Sequence, residues 1–157
     1  MPQTTRLWHI EDGELTEIPS TSLNAEEQLE EWLEEDISIL SDDLLVIGRQ
    51  VNTDFGGALD LLCIDEAGDL VIVELKRDKT PRDVVAQGLD YASWVVDLSG
   101  EVVEEQAESY LNSPLEDKFR EAFDLSLPEV LNESHRILIV GSQIDAQSER
   151  IIDYLSD

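Results

Sequence analysis

The segment Gly56 to Arg77, GGALDLLCIDEAGDLVIVELKR, limits the fold more than any other stretch of the chain. Ala58 to Ile64 and Leu70 to Lys76 are apolar, β-rich runs, and Asp65 to Asp69 between them include Gly68. Gly68 can take the left-handed conformation that a short hairpin loop needs, so the two runs are predicted to pair antiparallel. With Asp65 opposite Asp69, Ile64 faces Leu70, Leu62 faces Ile72 and Asp60 faces Glu74. Directly opposed side chains stand about 5 Å apart at Cβ. Lys76 shares the face of Glu74 because strand side chains repeat every second residue. A bulge near Gly56 or Gly57 would change the pairing locally without carrying Asp60 far from Glu74.

Two carboxylates opposed on an otherwise apolar hairpin repel each other, and burial demands that they find partners or protons. Lys76 alone neutralises one of them. A hard cation such as Mg²⁺ or Mn²⁺ satisfies both, because such ions take carboxylate oxygens, waters and phosphate as ligands. The competing arrangement is a solvated sheet edge, with Lys76 in an ordinary salt bridge.

Asp60 followed by Glu74-Leu75-Lys76 resembles the motif of the PD-(D/E)XK nuclease superfamily, an aspartate on one strand and (D/E)-x-K on the next. Leu59 stands where the motif usually has proline. With IGRQV at Ile47 to Val51, the VELKR run and a following helix bearing Gln87 and Tyr91, the resemblance covers about Leu29 to Trp94. It is similar to the branch that includes archaeal-type single-strand and mismatch endonuclease domains. The resemblance implies a restriction-endonuclease-like α/β fold, a mixed central sheet flanked by helices. It also implies Mg²⁺ or Mn²⁺ held by Asp60, Glu74 and the main-chain carbonyl of Leu75, with DNA as substrate.

Two helices flank the motif. Asn24-Ala25-Glu26-Glu27 reads as a helix cap, and Leu29, Trp32, Leu33 and Ile37 follow with helical spacing. Glu30 borders that stripe, close to the angle of Ile37 at about 100° per residue. By resemblance Glu30 is the first-helix glutamate that reaches the metal site; otherwise it is a solvated helix flank. Thr80 reads as an N-cap, Pro81 as the first helical residue and Asp83 as the end of a capping box. Gln87 and Tyr91 are four residues apart and share a face. The resemblance places Gln87 beside metal and substrate, and Tyr91 near it or on the nucleic-acid backbone. Tyr91 is equally compatible with a core position, and Gly88 with close backbone packing against the sheet.

The remaining chain suits one compact domain, residues 21–157, preceded by a hairpin extension over 1–20. RLWHI and ELTEI around Glu11-Asp12-Gly13 form that hairpin, and Leu44 to Val51 forms a strand leading into the motif. Glu101 to Leu111 and Pro114 to Phe123 read as helices. Arg136 to Gly141 reads as a largely buried strand, and Ser142 to Gln147 as a polar turn into a last helix. The resemblance implies a further strand and a separate C-terminal domain, so the chain reads as a truncated or short relative. A missing edge strand would favour a homodimer. No apolar run is long enough to cross a membrane. A single cysteine, Cys63, excludes an internal disulfide, fits a reducing cytoplasm and reads as core; with two isolated histidines, His9 and His135, a zinc site is not expected.

The formal charge of −27 opposes binding to a polyanion. Lys76, Arg77, Lys79 and Arg82 nevertheless cluster between the motif strand and the next helix, and Arg49 lies on the preceding strand. Together they suit a local phosphate track. Three lysines against seven arginines, with 37 acidic residues, resemble the composition of proteins from salt-accumulating cells. At about 1 M salt the screening length is near 3 Å, which removes most of the global repulsion. The chemistry expected is metal-dependent phosphodiester hydrolysis, with Lys76 orienting water or stabilising charge on the phosphate. A non-cleaving nucleic-acid-binding module and an acidic protein-interaction scaffold are the alternatives.

Overall fold

The computed structural model describes residues 7–11, 13–18, 26–80 and 82–156, with the side chains of 7, 11, 18, 77–80 and 142 outside the description. Strands β1 (Leu7–Glu11) and β2 (Glu14–Ile18) pair as a separate two-stranded hairpin. Helix α1 (Glu26–Glu35) precedes three strands, β3 (Leu44–Asn52), β4 (Ala58–Asp65) and β5 (Leu70–Thr80). Helices α2 (Arg82–Val95), α3 (Gly100–Leu111) and α4 (Leu115–Phe123) follow, then β6 (His135–Ile144) and α5 (Ala146–Leu155). The main sheet runs β3-β4-β5-β6, antiparallel up to β5 and parallel between β5 and β6. This is the mixed sheet with flanking helices of a restriction-endonuclease-like fold.

The β4–β5 hairpin has the expected register, with Ile64 opposite Leu70 and Leu62 opposite Ile72. Its turn is closed locally. Asp65 Oδ1 accepts the N–H groups of Ala67 and Asp69, both at 3.0 Å, and Gly68 takes φ +85°. Both strands are almost continuously buried because helices cover both faces. On one face Leu62, Ile64 and Ile72 pack with Tyr91 of α2, Val103 of α3 and Phe119 of α4. On the other, Leu61, Cys63, Val71 and Val73 pack with Leu33 of α1.

Several boundaries differ from the sequence reading. α1 stops at Glu35, because Asp36 accepts the N–H of Ser38 and opens a 3-10 turn over Ile37–Ile39. Trp32, placed on the apolar stripe, is 44% exposed. β5 continues to Thr80, so the residue read as an N-cap ends a strand; the Asn24 cap and Pro81, read as the first helical residue, lie outside the described residues. β6 extends through Ile144, with Asp145 capping α5 directly, and Ile137 to Gly141 are only half-buried because the strand forms a sheet edge. The pairing of β3 with β4 shifts register between Val46 and Gly48.

Gly88 lies where α2 meets the sheet. A Cβ there would stand 3.1 Å from Cγ2 of Ile137 on β6. Gly88→Val is therefore expected to destabilise the domain by about 1–3 kcal/mol, as overpacking does. Urea unfolding of the two proteins measures it, and an unchanged midpoint would show that the helix moves freely away from β6.

Candidate active site at the end of the hairpin ladder

The main-chain pairing of β4 with β5 extends from Ile64↔Leu70 to Leu61↔Val73. Asp60 and Glu74 occupy the next rung, as the hairpin register requires. There the side chains replace the ladder: Leu75 N–H donates to Asp60 Oδ2 at 2.8 Å, and Asp60 N–H donates to Glu74 Oε1 at 3.3 Å. The alternation of faces also breaks at this point. Leu59 and Leu62 belong to one core cluster while Leu61 belongs to the other, which leaves Asp60 at an irregular position between them.

Glu74 is 1% exposed and Asp60 is half-buried. Burial, followed by the neighbouring Asp60 charge, pushes the Glu74 carboxyl up to about 8. Asp60 is also raised, first by burial and then by the charge of Glu30, against the hydrogen bond from Leu75. Lys76, half-buried on the same strand, favours the ionised form of both. The pair is thus held together at the cost of mutual repulsion, an arrangement that favours a bound cation.

Glu30 reaches this centre from α1, although the route differs from a direct approach. It is 6% exposed, its Oε1 accepts from Arg49 Nε at 2.7 Å, and its Oε2 accepts from Gln50 Nε2 at 2.9 Å. Gln50 Nε2 also lies 3.2 Å from Asp60 Oδ1 and so bridges the two carboxylates. Arg49 extends the network: its Nη1 donates to Glu34 Oε2 at 2.6 Å, and Glu34 in turn accepts from the hydroxyl of Tyr110 on α3. Both glutamates raise the Arg49 guanidinium above its ordinary value, Glu30 most.

Gln87 and Tyr91 form a second line of contacts. Gln87 Nε2 donates to the Tyr91 hydroxyl at 2.8 Å, and that hydroxyl donates to the Ala58 carbonyl at 3.1 Å. Tyr91 is 3% exposed and presses on Gly57, whose φ of +82° and 3.1 Å distance from a built Cβ to the hydroxyl oxygen exclude a side chain. These contacts fix the approach of β4 to Asp60. Arg82 is exposed at the start of α2, while the side chains of Arg77 and Lys79 lie outside the described residues. The structure therefore groups Asp60, Glu74, Lys76 and Glu30, and uses Arg49 and Tyr91 inside the domain.

The sequence reading missed Gln50, Glu34 and Tyr110. Gln50 falls within the quoted IGRQV run, but its register opposite Asp60 depends on the shift between Val46 and Gly48. Glu34 and Tyr110 meet Arg49 through tertiary packing and leave no local signal.

Among the described residues no group of three or more His, Cys, Asp or Glu side chains is arranged to hold a metal. Asp60 and Glu74 supply two carboxylates. That set fits an ion such as Mg²⁺, which keeps several waters and takes one or two carboxylates plus substrate phosphate.

Cys63 is fully buried behind this site, and burial pushes its thiol up to about 12. It is expected to resist alkylation in the native protein at pH 8 and to react on unfolding. Thiol titration with and without urea distinguishes the two states, and rapid native labelling would contradict its core position.

Two solved structures share this fold. The crystal structure of a repair endonuclease from Pyrococcus abyssi aligns with a TM-score of 0.53 at 15% identity, over 88% of this chain and 46% of that one. The EndoMS-dsDNA2 complex aligns with a TM-score of 0.54 at 16% identity, over 90% of this chain and 47% of that one. The chain thus spans about half the length of each. No curated relative matches it. Residues 25–114, which carry Glu30, Asp60, Glu74, Lys76 and Gln87, match the endonuclease NucS C-terminal domain over more than half of the chain, and the chain belongs to that family.

Proposed function

We propose that this domain hydrolyses phosphodiester bonds of DNA with a divalent cation, Mg²⁺ or Mn²⁺, held by Asp60, Glu74 and the main-chain carbonyl of Leu75. The observation that carries the reading is the carboxylate pair, buried Glu74 opposite half-buried Asp60, mutually repelling and set beside Lys76 where the β4–β5 ladder ends. Membership of an endonuclease family and the likeness to a DNA-bound structure support the same chemistry.

A bound ion of this class polarises the phosphate and supplies a nucleophilic water at neutral pH. The residues do the rest. Glu30 and Gln50 hold Asp60 in place, and Leu75 N–H fixes its second oxygen. Lys76, set beside Glu74 and Asp60, stabilises negative charge developing on the phosphate or orients the attacking water. Gln87 is anchored to the Tyr91 hydroxyl, which holds the Ala58 carbonyl two residues before Asp60. Arg77, Lys79 and Arg82 form the phosphate track, while Arg49 and Tyr91 serve the domain's interior. Contacts of short range suit a chain of charge −27.

Labelled single-stranded, duplex, mismatched and branched DNA, incubated with Mg²⁺ or Mn²⁺ at about 0.1 and 2 M KCl, tests the assignment. The parent is expected to give metal-dependent products that Lys76→Ala lowers at least about 100-fold, the scale of losing one charge-stabilising group. Binding without cleavage would point to a nucleic-acid-binding module. Equal cutting by parent and variant would remove Lys76 from the chemistry.

A further inference from the structure

Four non-glycine residues among those described have positive φ. Asn112 and Asp124 close the C-termini of α3 and α4, and Asn132 lies in the connection before β6; asparagine and aspartate tolerate this conformation well. The fourth, Gln50 at φ +48°, lies within a strand. Neither its residue type nor its place in the fold favours that backbone.

The conformation has a local effect. Arg49 pairs opposite Leu61 and Val51 opposite Leu59, so Gln50 stands across from Asp60. Its amide nitrogen contacts Glu30 Oε2 at 2.9 Å and Asp60 Oδ1 at 3.2 Å. Both neighbours are carboxylates that accept hydrogen bonds and repel each other, and the other Glu30 oxygen is already taken by Arg49. A single NH₂ group carries the two hydrogens needed to join them, a role that glycine, the natural occupant of such a backbone, cannot fill.

We infer that Gln50 is a positioning residue that joins Glu30 to Asp60, and that its left-handed backbone is retained for this bridge at the expense of stability. Strained backbone concentrates at functional sites when the surrounding structure holds it in place. Here the bridge fixes the orientation of Asp60, and through it the cation affinity of the Asp60–Glu74 pair. The inference rests on the proposed function for its cation and for cleavage, whereas the metal-free melting comparison does not.

Gln50→Gly and Gln50→Ala both delete the amide, but only glycine relieves the backbone. In the 157-residue chain, titrated with Mn²⁺ and followed by electron paramagnetic resonance, both variants are expected to bind about tenfold more weakly, as when a partner of a metal ligand is removed. Without metal, where both variants have lost the same hydrogen bonds, Gln50→Gly is expected to melt about 2–4 °C above Gln50→Ala. Cleavage should fall in both and recover as Mn²⁺ is raised. Unchanged Mn²⁺ affinity in the variants, or no Mn²⁺ binding by the parent, would overturn the inference. A melting temperature for Gln50→Gly no higher than that of Gln50→Ala would show that the backbone at this position costs nothing and overturn it as well. A parent that binds Mn²⁺ but cuts no DNA would refute the nuclease reading alone, leaving the affinity comparison to decide the role of Gln50.

Discussion

Glu74→Gln is expected to abolish metal-dependent cleavage, by about 10³-fold or more, while making the metal-free domain more stable at alkaline pH. Opposite signs arise from the same carboxylate. Its folded-state value is raised to about 8, so the fold favours the protonated acid over the ionised one. Between the ordinary glutamate range and about 8 the folded state therefore binds more protons than the unfolded state. Stability is full at the acid end of that window and declines as pH rises through it, by at most about 1.4 kcal/mol per pH unit for one proton. Asp60 is raised as well and adds to the slope, since the two groups titrate as a pair. Glutamine removes the Glu74 share yet keeps an oxygen for the N–H of Asp60. Melting curves from pH 5 to 9 in EDTA test this: the parent should lose stability with pH, and the variant should lose less and cross above it. A parallel pair of curves would contradict the raised value, and retained cleavage would remove Glu74 from the reaction.

Arg49→Ala is expected to cost about 3 kcal/mol. The Arg49 side chain is 25% exposed and supplies the charged partner of Glu30, which is nearly out of water, at 2.7 Å. Removing it strands that carboxylate and also releases Glu34, held at 2.6 Å. The partial exposure of Arg49 and Glu34 puts the cost at the lower end of the range for breaking buried pairs. Glu30→Gln in the same background should recover part of the loss, because the stranded charge is then gone. At this chain length the single change corresponds to a melting temperature about 6–12 °C lower. Raising KCl to about 2 M should leave most of the difference in place, since buried pairs are screened far less than exposed ones. A difference that vanishes in salt would reduce Arg49 to a surface charge.

The hairpin and its carboxylates were legible because their determinants are local. Gly68 sets the turn, apolar residues fill both arms, and counting from Asp65 and Asp69 leads to Asp60 opposite Glu74. Buried Gly88 and Cys63 were also readable from residue type and position. The surroundings were not. Arg49 reads as a phosphate ligand when only chain neighbours are counted, yet it contacts Glu30 and Glu34 from α1, and Glu34 in turn contacts Tyr110 of α3. Gln50 is concealed by the register shift in β3, and the end of α1 by a side-chain hydrogen bond from Asp36. Such features depend on how elements meet, and period and composition do not encode that.

The hydrogen bonds at the end of the β4–β5 ladder bear on how this domain could lose the proposed activity. Asp60 accepts the N–H of Leu75, a residue 1% exposed, so truncating the aspartate leaves a main-chain donor without its partner inside the protein. A lineage freed from selection for cleavage would still be under selection to keep an acceptor at that position. Drift would then run through asparagine, which keeps an acceptor oxygen but discards the charge, and alanine would be purged as a folding defect. An inactive descendant should be recognisable by an amide where the acid stood, on an otherwise unaltered hairpin.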